Sequence, residues 1–241
     1  MEISRYSQTF FEANCYLIVP DSGSEALVVD PGAGAAAWVP GELERSGLSL
    51  GAVLLTHGHA DHLWDAAAIA GDAPVYLAAP DMYRIDDPLS QMTMLGAQLG
   101  FERMGAADHW VKPPRMRVLP PEIFSRDVSL VSGLPMRAVA TPGHTEGSAV
   151  FLFAGAVHSA FDQALVSETE PRTYMLSGDV LFAGSVGRTD LPGGDQREME
   201  ASLRFLVNVI KPDVFVLPGH GGPTTIFHET RHNPYVHAAM S

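Results

Sequence analysis

Short apolar runs separated by turn-forming residues recur along the chain and predict β-strands. The runs are residues 14–19, 26–30, 52–56, 75–77, 137–141, 149–153, 174–177 and 214–217. An apolar period of three to four residues predicts helices at 35–46, 61–70 and 196–210. In the last of these, Asp195 stands where an N-cap is expected. Strands with interspersed helices favour mixed sheets covered by helices, an α+β arrangement.

Two stretches depart from this pattern. Residues 80–121 contain six prolines and no clear strand period, so we expect an irregular covering segment, with a lid or a partner surface as the alternative. Residues 155–172 are polar and are expected to form a hairpin insertion without a visible function. Neither stretch resembles a linker, and the 241 residues are expected to form a single domain, 1–241.

Composition narrows the class of protein. Hydrophobic residues make up 46% of the chain, which is typical of a globular protein. The net charge is −13, which disfavours nucleic acid as a partner. Cys15 is the one cysteine, so an internal disulfide is excluded. No signal-peptide pattern and no apolar run long enough to cross a bilayer is present, and we expect a cytoplasmic protein that is not bound to membranes.

Candidate chemistry is concentrated directly after the apolar run 52–55. Three histidines and one aspartate occur within six positions, His57, His59, Asp61 and His62. Imidazole and carboxylate groups are ligands for Zn²⁺, Fe²⁺ and Mn²⁺, and Gly58 lets the backbone bend sharply between the first two. The pattern therefore indicates a metal site at the end of a buried strand.

Three later positions repeat this placement. His144, Asp179 and His220 each follow or end a predicted strand, and each has a glycine immediately before it. Strand ends at one edge of a sheet bring ligands together, and glycine permits close approach of the backbone. Each position alone is weak evidence, but the three in this order after the histidine cluster form one pattern.

That combined pattern resembles the metallo-β-lactamase superfamily, and the resemblance extends over nearly the whole chain. Its glyoxalase II-like branch is the most similar. The motifs that carry the resemblance are Asn14-Cys15-Tyr16-Leu17, Val29-Asp30-Pro31-Gly32, His57 to His62, Thr141 to Ser148, Ser177 to Phe182, Gly187 to Asp190, Leu217 to Gly221 and Asn233-Pro234. It implies a four-layer αββα sandwich with a dinuclear metal site at one edge.

The resemblance also implies a role for each ligand position. His57, His59 and His144 would bind the first ion, and Asp61, His62 and His220 the second. Asp179 would bridge the two ions, and Asp61 and Asp179 would be the catalytic carboxylates. The ions are expected to be Zn²⁺, with iron or manganese as alternatives. Asp30 is expected either to hold the histidine loop by hydrogen bonds or only to form a turn.

The expected function is hydrolysis of a hydroxyacyl thioester of a small thiol, as in glyoxalase II, with a metal-bridging hydroxide as nucleophile. Only 21 residues follow His220, too few for the helical domain that binds glutathione in longer glyoxalases, so a short single-domain member is the closer resemblance. The alternative is a persulfide dioxygenase with one Fe²⁺ on His57, His144 and Asp179. A non-catalytic or nucleic-acid-processing member is a third class.

Four other sequence patterns are weaker evidence for a function. Residues 32–37 fit a dinucleotide-binding glycine motif, but no acidic residue follows about twenty positions later. Ser185 misses the nucleophile-elbow pattern, and Cys15 is expected to be buried and inert. Arg188 could bind a substrate carboxylate, or its pairing with Asp190 could only stabilise the loop. The remaining histidines are expected to be structural or on the surface; they are His109, His158, His228, His232 and His237.

Overall fold

The computed structural model describes residues 1–8, 11–91, 95–103 and 110–241. The strands are β1 (Glu2–Ser7), β2 (Asn14–Val19), β3 (Glu25–Val29), β4 (Ser49–Leu54), β5 (Val75–Leu77), β6 (Met116–Val118), β7 (Val128–Ser129), β8 (Pro135–Ala140), β9 (Ala149–Val157), β10 (Ser159–Ala160), β11 (Ser167–Gly178), β12 (Phe215–Pro218) and β13 (Thr224–Thr225). The helices are α1 (Ala35–Ser46), α2 (Ala60–Leu63), α3 (Ala66–Ala70), α4 (Leu95–Arg103), α5 (Gln196–Val209), α6 (Ile226–His232) and α7 (Pro234–Met240). A 3₁₀ turn covers Ala79–Asp86.

These strands form two sheets. One has the order β10-β1-β2-β3-β4-β5-β6 and the other the order β13-β12-β11-β9-β8-β7. Because side chains alternate along a strand, each central strand supplies two cores. In β2, Tyr16 and Ile18 point into the core between the sheets, whereas Cys15 and Leu17 point outward. Both faces of the strands are therefore buried, which is why the sequence shows continuous apolar runs there.

Helices cover the outer face of each sheet. α1, α2 and α3 pack on the first sheet, with Val39 and Leu63 in its outer core. α5 and α7 pack on the second sheet, where Leu203 and Val236 contact Met175 and its neighbours. The layers are therefore helix, sheet, sheet, helix, and the predicted αββα sandwich is confirmed.

The predicted helix at 61–70 is wrong in one respect, since it is two short helices, α2 and α3. Asp65, between them, donates its backbone N–H to Pro31 O at 2.9 Å, and its carboxylate accepts the N–H groups of Gly34 and Ala36. These tertiary hydrogen bonds replace the ones that a continuous helix would make. The periodic sequence pattern does not reveal that tertiary hydrogen bonds compete with helical ones at Asp65.

The segment 80–121 contains a strand that its sequence does not show. β6 pairs in parallel with β5 at the edge of the first sheet, where neighbouring prolines are tolerated. Residues 92–94 and 104–109 of this segment, His109 among them, lie outside the described residues. A lid or covering role for the segment stays a prediction.

The predicted hairpin at 155–172 is present, but it is more than a polar insertion. It joins β9 to β11, and Val157 and Leu165 are buried in the core between the sheets. Tyr174 donates its hydroxyl to Leu165 O at 2.7 Å. The hairpin therefore contributes apolar side chains to the core between the sheets.

Strand direction determines where functional residues meet. In the second sheet β8, β11 and β12 run the same way, because β9 is antiparallel to both β8 and β11 while β12 is parallel to β11. Their carboxyl ends therefore lie at one edge. A backbone hydrogen bond from Ala149 N to Thr56 O, 3.1 Å, connects that edge to the loop after β4 of the first sheet. Within the described ranges, no helix has the length and apolar character needed to cross a bilayer.

Candidate metal centre

Four loops at this edge carry the seven predicted ligand residues. The loop after β4, continuing into α2, carries His57, His59, Asp61 and His62. His144 follows β8, Asp179 follows β11, and His220 follows β12. Six of the seven are buried, and His220 is partly exposed. The structure brings all seven together, which sequence spacing alone did not require.

The first group of candidate ligands consists of histidines. The side-chain nitrogens of His57, His59 and His144 lie within 4.8 Å of one another. His59 Nδ1 is 2.8 Å from His144 Nε2, and the two rings are nearly perpendicular. Two nitrogens at this distance repel one another unless a proton or a cation lies between them.

A second group combines carboxylate and imidazole. Asp61, His62 and His220 also place ligand atoms within 4.8 Å of one another, and the Nε2 atoms of His62 and His220 are 3.2 Å apart. Asp61 Oδ2 lies 3.5 Å from His220 Nε2.

Asp179 lies between the two groups. Its Oδ2 is 3.5 Å from His144 Nε2 and 3.3 Å from His220 Nε2, and its Oδ1 is 3.3 Å from His62 Nε2. One carboxylate therefore contacts both groups, which is the placement expected of a bridging ligand.

Electrostatics differ between the two groups. Burial, followed by the neighbouring histidines, holds the pKa of His57 and of His59 well below the ordinary value. Burial also lowers the pKa of His144. These three imidazoles are therefore neutral near pH 7, the form whose nitrogen lone pair binds a metal ion.

The second group is held by opposite charges. Burial lowers the pKa of His220, but Asp179 and Asp61 outweigh it and raise that pKa to about 10. The pKa of His62 is raised well above its ordinary value in the same way, burial being outweighed by Asp179 and Asp61. Burial raises the pKa of Asp61, but His62 and His220 outweigh it and lower that pKa to about 2. The neighbouring carboxylates therefore favour the protonated form of both imidazoles in the protein without metal.

The donor set fits divalent metal ions. His57 Nε2 and His59 Nε2 are buried and have no hydrogen-bond partner among the described residues. An unpaired buried polar atom costs about 1–3 kcal/mol, so such atoms indicate a ligand that the chain is shaped to bind. Imidazole and carboxylate donors in this number suit Zn²⁺, Fe²⁺ or Mn²⁺ rather than Ca²⁺.

Asp30 makes the hydrogen bonds expected of a residue that holds the histidine loop. Its carboxylate accepts the backbone N–H of Thr56 at 2.8 Å and the Thr56 hydroxyl at 2.7 Å. The same carboxylate is 3.1 Å from His62 Nδ1, and Thr56 Oγ1 is 3.1 Å from His57 Nδ1. Asp30 thus orients His62 directly and His57 through Thr56, a role for the threonine that sequence reasoning missed.

Gly219 shows why a glycine precedes a ligand position. A Cβ at Gly219 would overlap Asp179 Oδ1 and approach His62 Cε1. The backbone of this loop therefore packs directly against two of the candidate ligand side chains.

Arg188 lies next to the centre, but its side chain is engaged. Its guanidinium binds both oxygens of Asp190 at 2.6 Å, and its backbone oxygen accepts a hydrogen bond from His144 Nδ1 at 2.7 Å. The expected pairing of Arg188 with Asp190 is therefore present, and its effect on the loop stays a prediction. The role of Arg188 in binding a substrate carboxylate stays a prediction.

Sequence reasoning also missed a buried hydrogen-bond network that holds the loop after Asp179. Glu229 accepts hydrogen bonds from Gly184 N at 2.8 Å, from the Thr224 hydroxyl and from Asn233 Nδ2. Asn233 donates in turn to Ser185 O at 3.0 Å. The loop after Asp179 is thus anchored to α6 and α7. The Asn233-Pro234 pair, a helix-start signal, could have located α7. Among the described residues, the histidines outside the centre are exposed; they are His158, His228, His232 and His237.

Comparison with known proteins agrees with this geometry. The model of the metallo-beta-lactamase superfamily matches residues 9–157, more than half of the chain. An uncharacterized protein of Mycobacterium tuberculosis is 32% identical over 98% of both chains. The hydroxyacylglutathione hydrolase GloC of Haemophilus influenzae is 29% identical over 99% of both chains. The crystal structure of TTHA1623 in a di-iron-bound form is 33% identical, covers 96% of this chain and 98% of that one, and superposes with a TM-score of 0.67.

A sandwich with its ligand side chains at one edge, a match to the family model and relatives above 30% identity agree with one another. The chain belongs to the metallo-beta-lactamase superfamily.

Proposed function

We propose that this metallo-hydrolase cleaves a hydroxyacyl thioester of a small thiol at two divalent metal ions, as a glyoxalase II does. The observation that carries the proposal is the joining of two ligand groups by Asp179, which contacts His62, His144 and His220. The similarity to GloC over 99% of both chains supports the choice of substrate class. The two ions are proposed to be zinc, with iron or manganese as alternatives.

The seven candidate ligand residues would have different roles in this reaction. Two ions held by these residues would supply a water of lowered pKa and would polarise the thioester carbonyl. His57, His59 and His144 present neutral nitrogens on one side, and Asp61, His62 and His220 form the other side. Asp61 and Asp179 remain ionised, because the neighbouring histidines hold their pKa values below the ordinary range against the effect of burial. The two carboxylates can therefore accept a hydrogen bond from an attacking water.

The alternative, a persulfide dioxygenase, needs only His57, His144 and Asp179 around one iron. The close approach of Asp61, His62 and His220 favours the two-ion hydrolase, because a single-iron site leaves those three side chains without a ligand. A nucleic-acid-processing function fits poorly with the net charge of −13.

The test combines metal analysis with turnover. Protein purified without chelators should contain about two ions per chain and should release thiol from S-lactoylglutathione. An S-acyl thioester without the 2-hydroxyl group serves as the comparison substrate. About one iron per chain, with oxygen uptake on a thiol persulfide and no thioester cleavage, would contradict the proposal and favour the dioxygenase.

A further inference from the structure

A buried side chain from the 3₁₀ turn Ala79–Asp86 connects two ligand loops that come from different sheets. Asp81 is fully buried, and its Oδ2 accepts hydrogen bonds from Gly58 N at 2.7 Å and from Thr145 Oγ1 at 2.8 Å. Gly58 lies between His57 and His59, and Thr145 follows His144. The Oδ1 atom accepts Gly147 N at 2.8 Å. One carboxylate thus sets the separation of the loops that carry the three histidines of the first group.

Arg84, also fully buried, extends this connection to a third loop. Its Nε donates to Asp81 Oδ1 at 3.2 Å, and its Nη2 donates to Glu146 and, at 2.9 Å, to Pro192 O. Its side chain also packs on Gly58, where a Cβ would overlap Arg84 Cδ. The Asp81–Arg84 pair therefore lies against the first group of histidines. Its side chains hydrogen-bond to the loops that contain Gly58, Thr145 and Pro192.

A different buried residue holds the other side of the centre. Asn14 of β2 donates its side-chain amide to Pro218 O and Gly221 O, both at 2.9 Å. Its backbone N–H donates to Gly219 O at 2.7 Å, and Tyr16 donates its hydroxyl to Pro218 O at 2.7 Å. These bonds attach the His220 loop of the second sheet to the first sheet, which carries Asp61 and His62.

We propose that Asp81 and Asn14 are positioning residues for separate halves of the metal centre. Asp81 determines how tightly the group His57, His59 and His144 binds an ion, and Asn14 determines the same for Asp61, His62 and His220. Each holds the sheet-to-sheet distance on its own side, because its hydrogen bonds end on the loops of that side. The proposal depends on the two-ion centre proposed above.

The test measures Zn²⁺ affinity of the metal-free protein by competition with a chromophoric chelator, in two backgrounds. His220→Ala weakens the second half and leaves the first to be measured, whereas His59→Ala does the reverse. Loss of a residue that supports metal ligands typically weakens metal binding roughly 10- to 100-fold. We expect Asp81→Asn to have this effect in the His220→Ala background and to change affinity less than about threefold in the His59→Ala background. Asn14→Ala should show the opposite pattern.

Two further variants keep the result decisive. Thr145→Val removes one donor to Asp81 without changing the size of the side chain, so it should weaken the first half in the same direction if Asp81→Asn does not fold. Asp65→Asn is the matched control, since the Asp65 carboxylate also accepts two backbone N–H groups, of Gly34 and Ala36. It should leave both affinities unchanged.

Equal weakening in both backgrounds would overturn the inference, because it would show that Asp81 supports the fold as a whole. Unchanged affinity in both would overturn it as well. Failure of the wild-type protein to bind two ions would instead contradict the proposed function, so the two failures are distinguishable.

Discussion

Asp179 is the side chain on which both halves of the candidate centre depend. It contacts His144 of one group and His62 and His220 of the other. We predict that Asp179→Ala loses both ions and nearly all thioesterase activity, measured by elemental analysis and by thiol release. Full metal content together with the wild-type rate would show that this carboxylate is not a ligand.

Cys15→Ser is the control at the same scale. Cys15 is buried in β2 and points away from the core between the sheets, into the outer core under α1. Burial, with Asp30 and Asp65 nearby, raises the pKa of the thiol well above its ordinary value, so the reactive thiolate does not form near pH 7. Turnover should stay close to wild type, even though a buried hydroxyl costs some stability. A large loss of kcat with normal folding would give the thiol a role in the reaction.

Arg188 is the remaining candidate for substrate binding. Its side chain is 39% exposed and faces Asp190, which a substrate carboxylate could replace as partner. Arg188→Ala should raise KM for a carboxylate-bearing thioester about tenfold or more, the effect of losing a charged hydrogen bond, with a smaller effect on metal binding. A thioester without a carboxylate should show little change, and an unchanged KM for both substrates would leave the arginine a structural role.

Metal binding should be coupled to pH through the second group. His62 and His220 have raised pKa values and carry protons near pH 7 in the metal-free protein, whereas His57 and His59, with lowered pKa values, carry none. A metal ion must displace the protons, so affinity should rise as pH rises toward about 10, the pKa of His220. Adding Zn²⁺ at pH 7 in weak buffer should release about two protons from these histidines, measurable with a pH indicator. Release of fewer than one would contradict the assignment.

Among the elements, α5 and the His144 loop depend on one another. Asp195 caps α5 by accepting the N–H groups of Arg197 and Glu198, as the sequence predicted. Gly143 has φ +136 and packs against this first turn, so a Cβ there would overlap Met199 N. Gly143→Ala should therefore cost roughly 3 kcal/mol or more, from steric overlap and backbone strain together, and displace His144.

Gly184→Ala is the matched control for that substitution. Gly184 also has positive φ, +72, but a Cβ there would meet nothing within 4 Å. Only the conformational cost of about 1 kcal/mol is expected. Urea unfolding of both variants compares the two effects, and equal losses of stability would show that contact with α5 does not matter.

At the scale of the whole molecule, the proposed ions connect the two sheets. His57, His59, Asp61 and His62 come from the first sheet, and His144, Asp179 and His220 from the second. An ion present at about 1,000 times its Kd stabilises the folded state by about 4 kcal/mol, which corresponds to roughly 8–16 °C in Tm for a chain of this size. Chelation should lower Tm by that order, and restoring Zn²⁺ should recover it. An unchanged Tm after verified removal of metal would contradict a centre shared between the sheets.

The local pattern of apolar and polar residues was enough to predict several elements of the fold. The apolar runs located β2 and β5 at their observed bounds, and the helical period did so for α1. The seven candidate ligand residues were also named from the sequence, through the family resemblance together with their placement in loops that follow apolar runs. What the ligands have in common is a position relative to strands, and strands are visible in the pattern of apolar residues.

The tertiary structure decided the rest. It broke the helix at 61–70, because hydrogen bonds of Asp65 with Pro31, Gly34 and Ala36 replaced helical ones. It placed Asp81, which has no motif of its own, between Gly58 and Thr145, residues 23 and 64 positions away. The sequence by itself thus determined which side chains could bind metal and which strands carry them. Only folding determined how these side chains are held at fixed distances, since the atoms that hold them come from segments far apart in the chain.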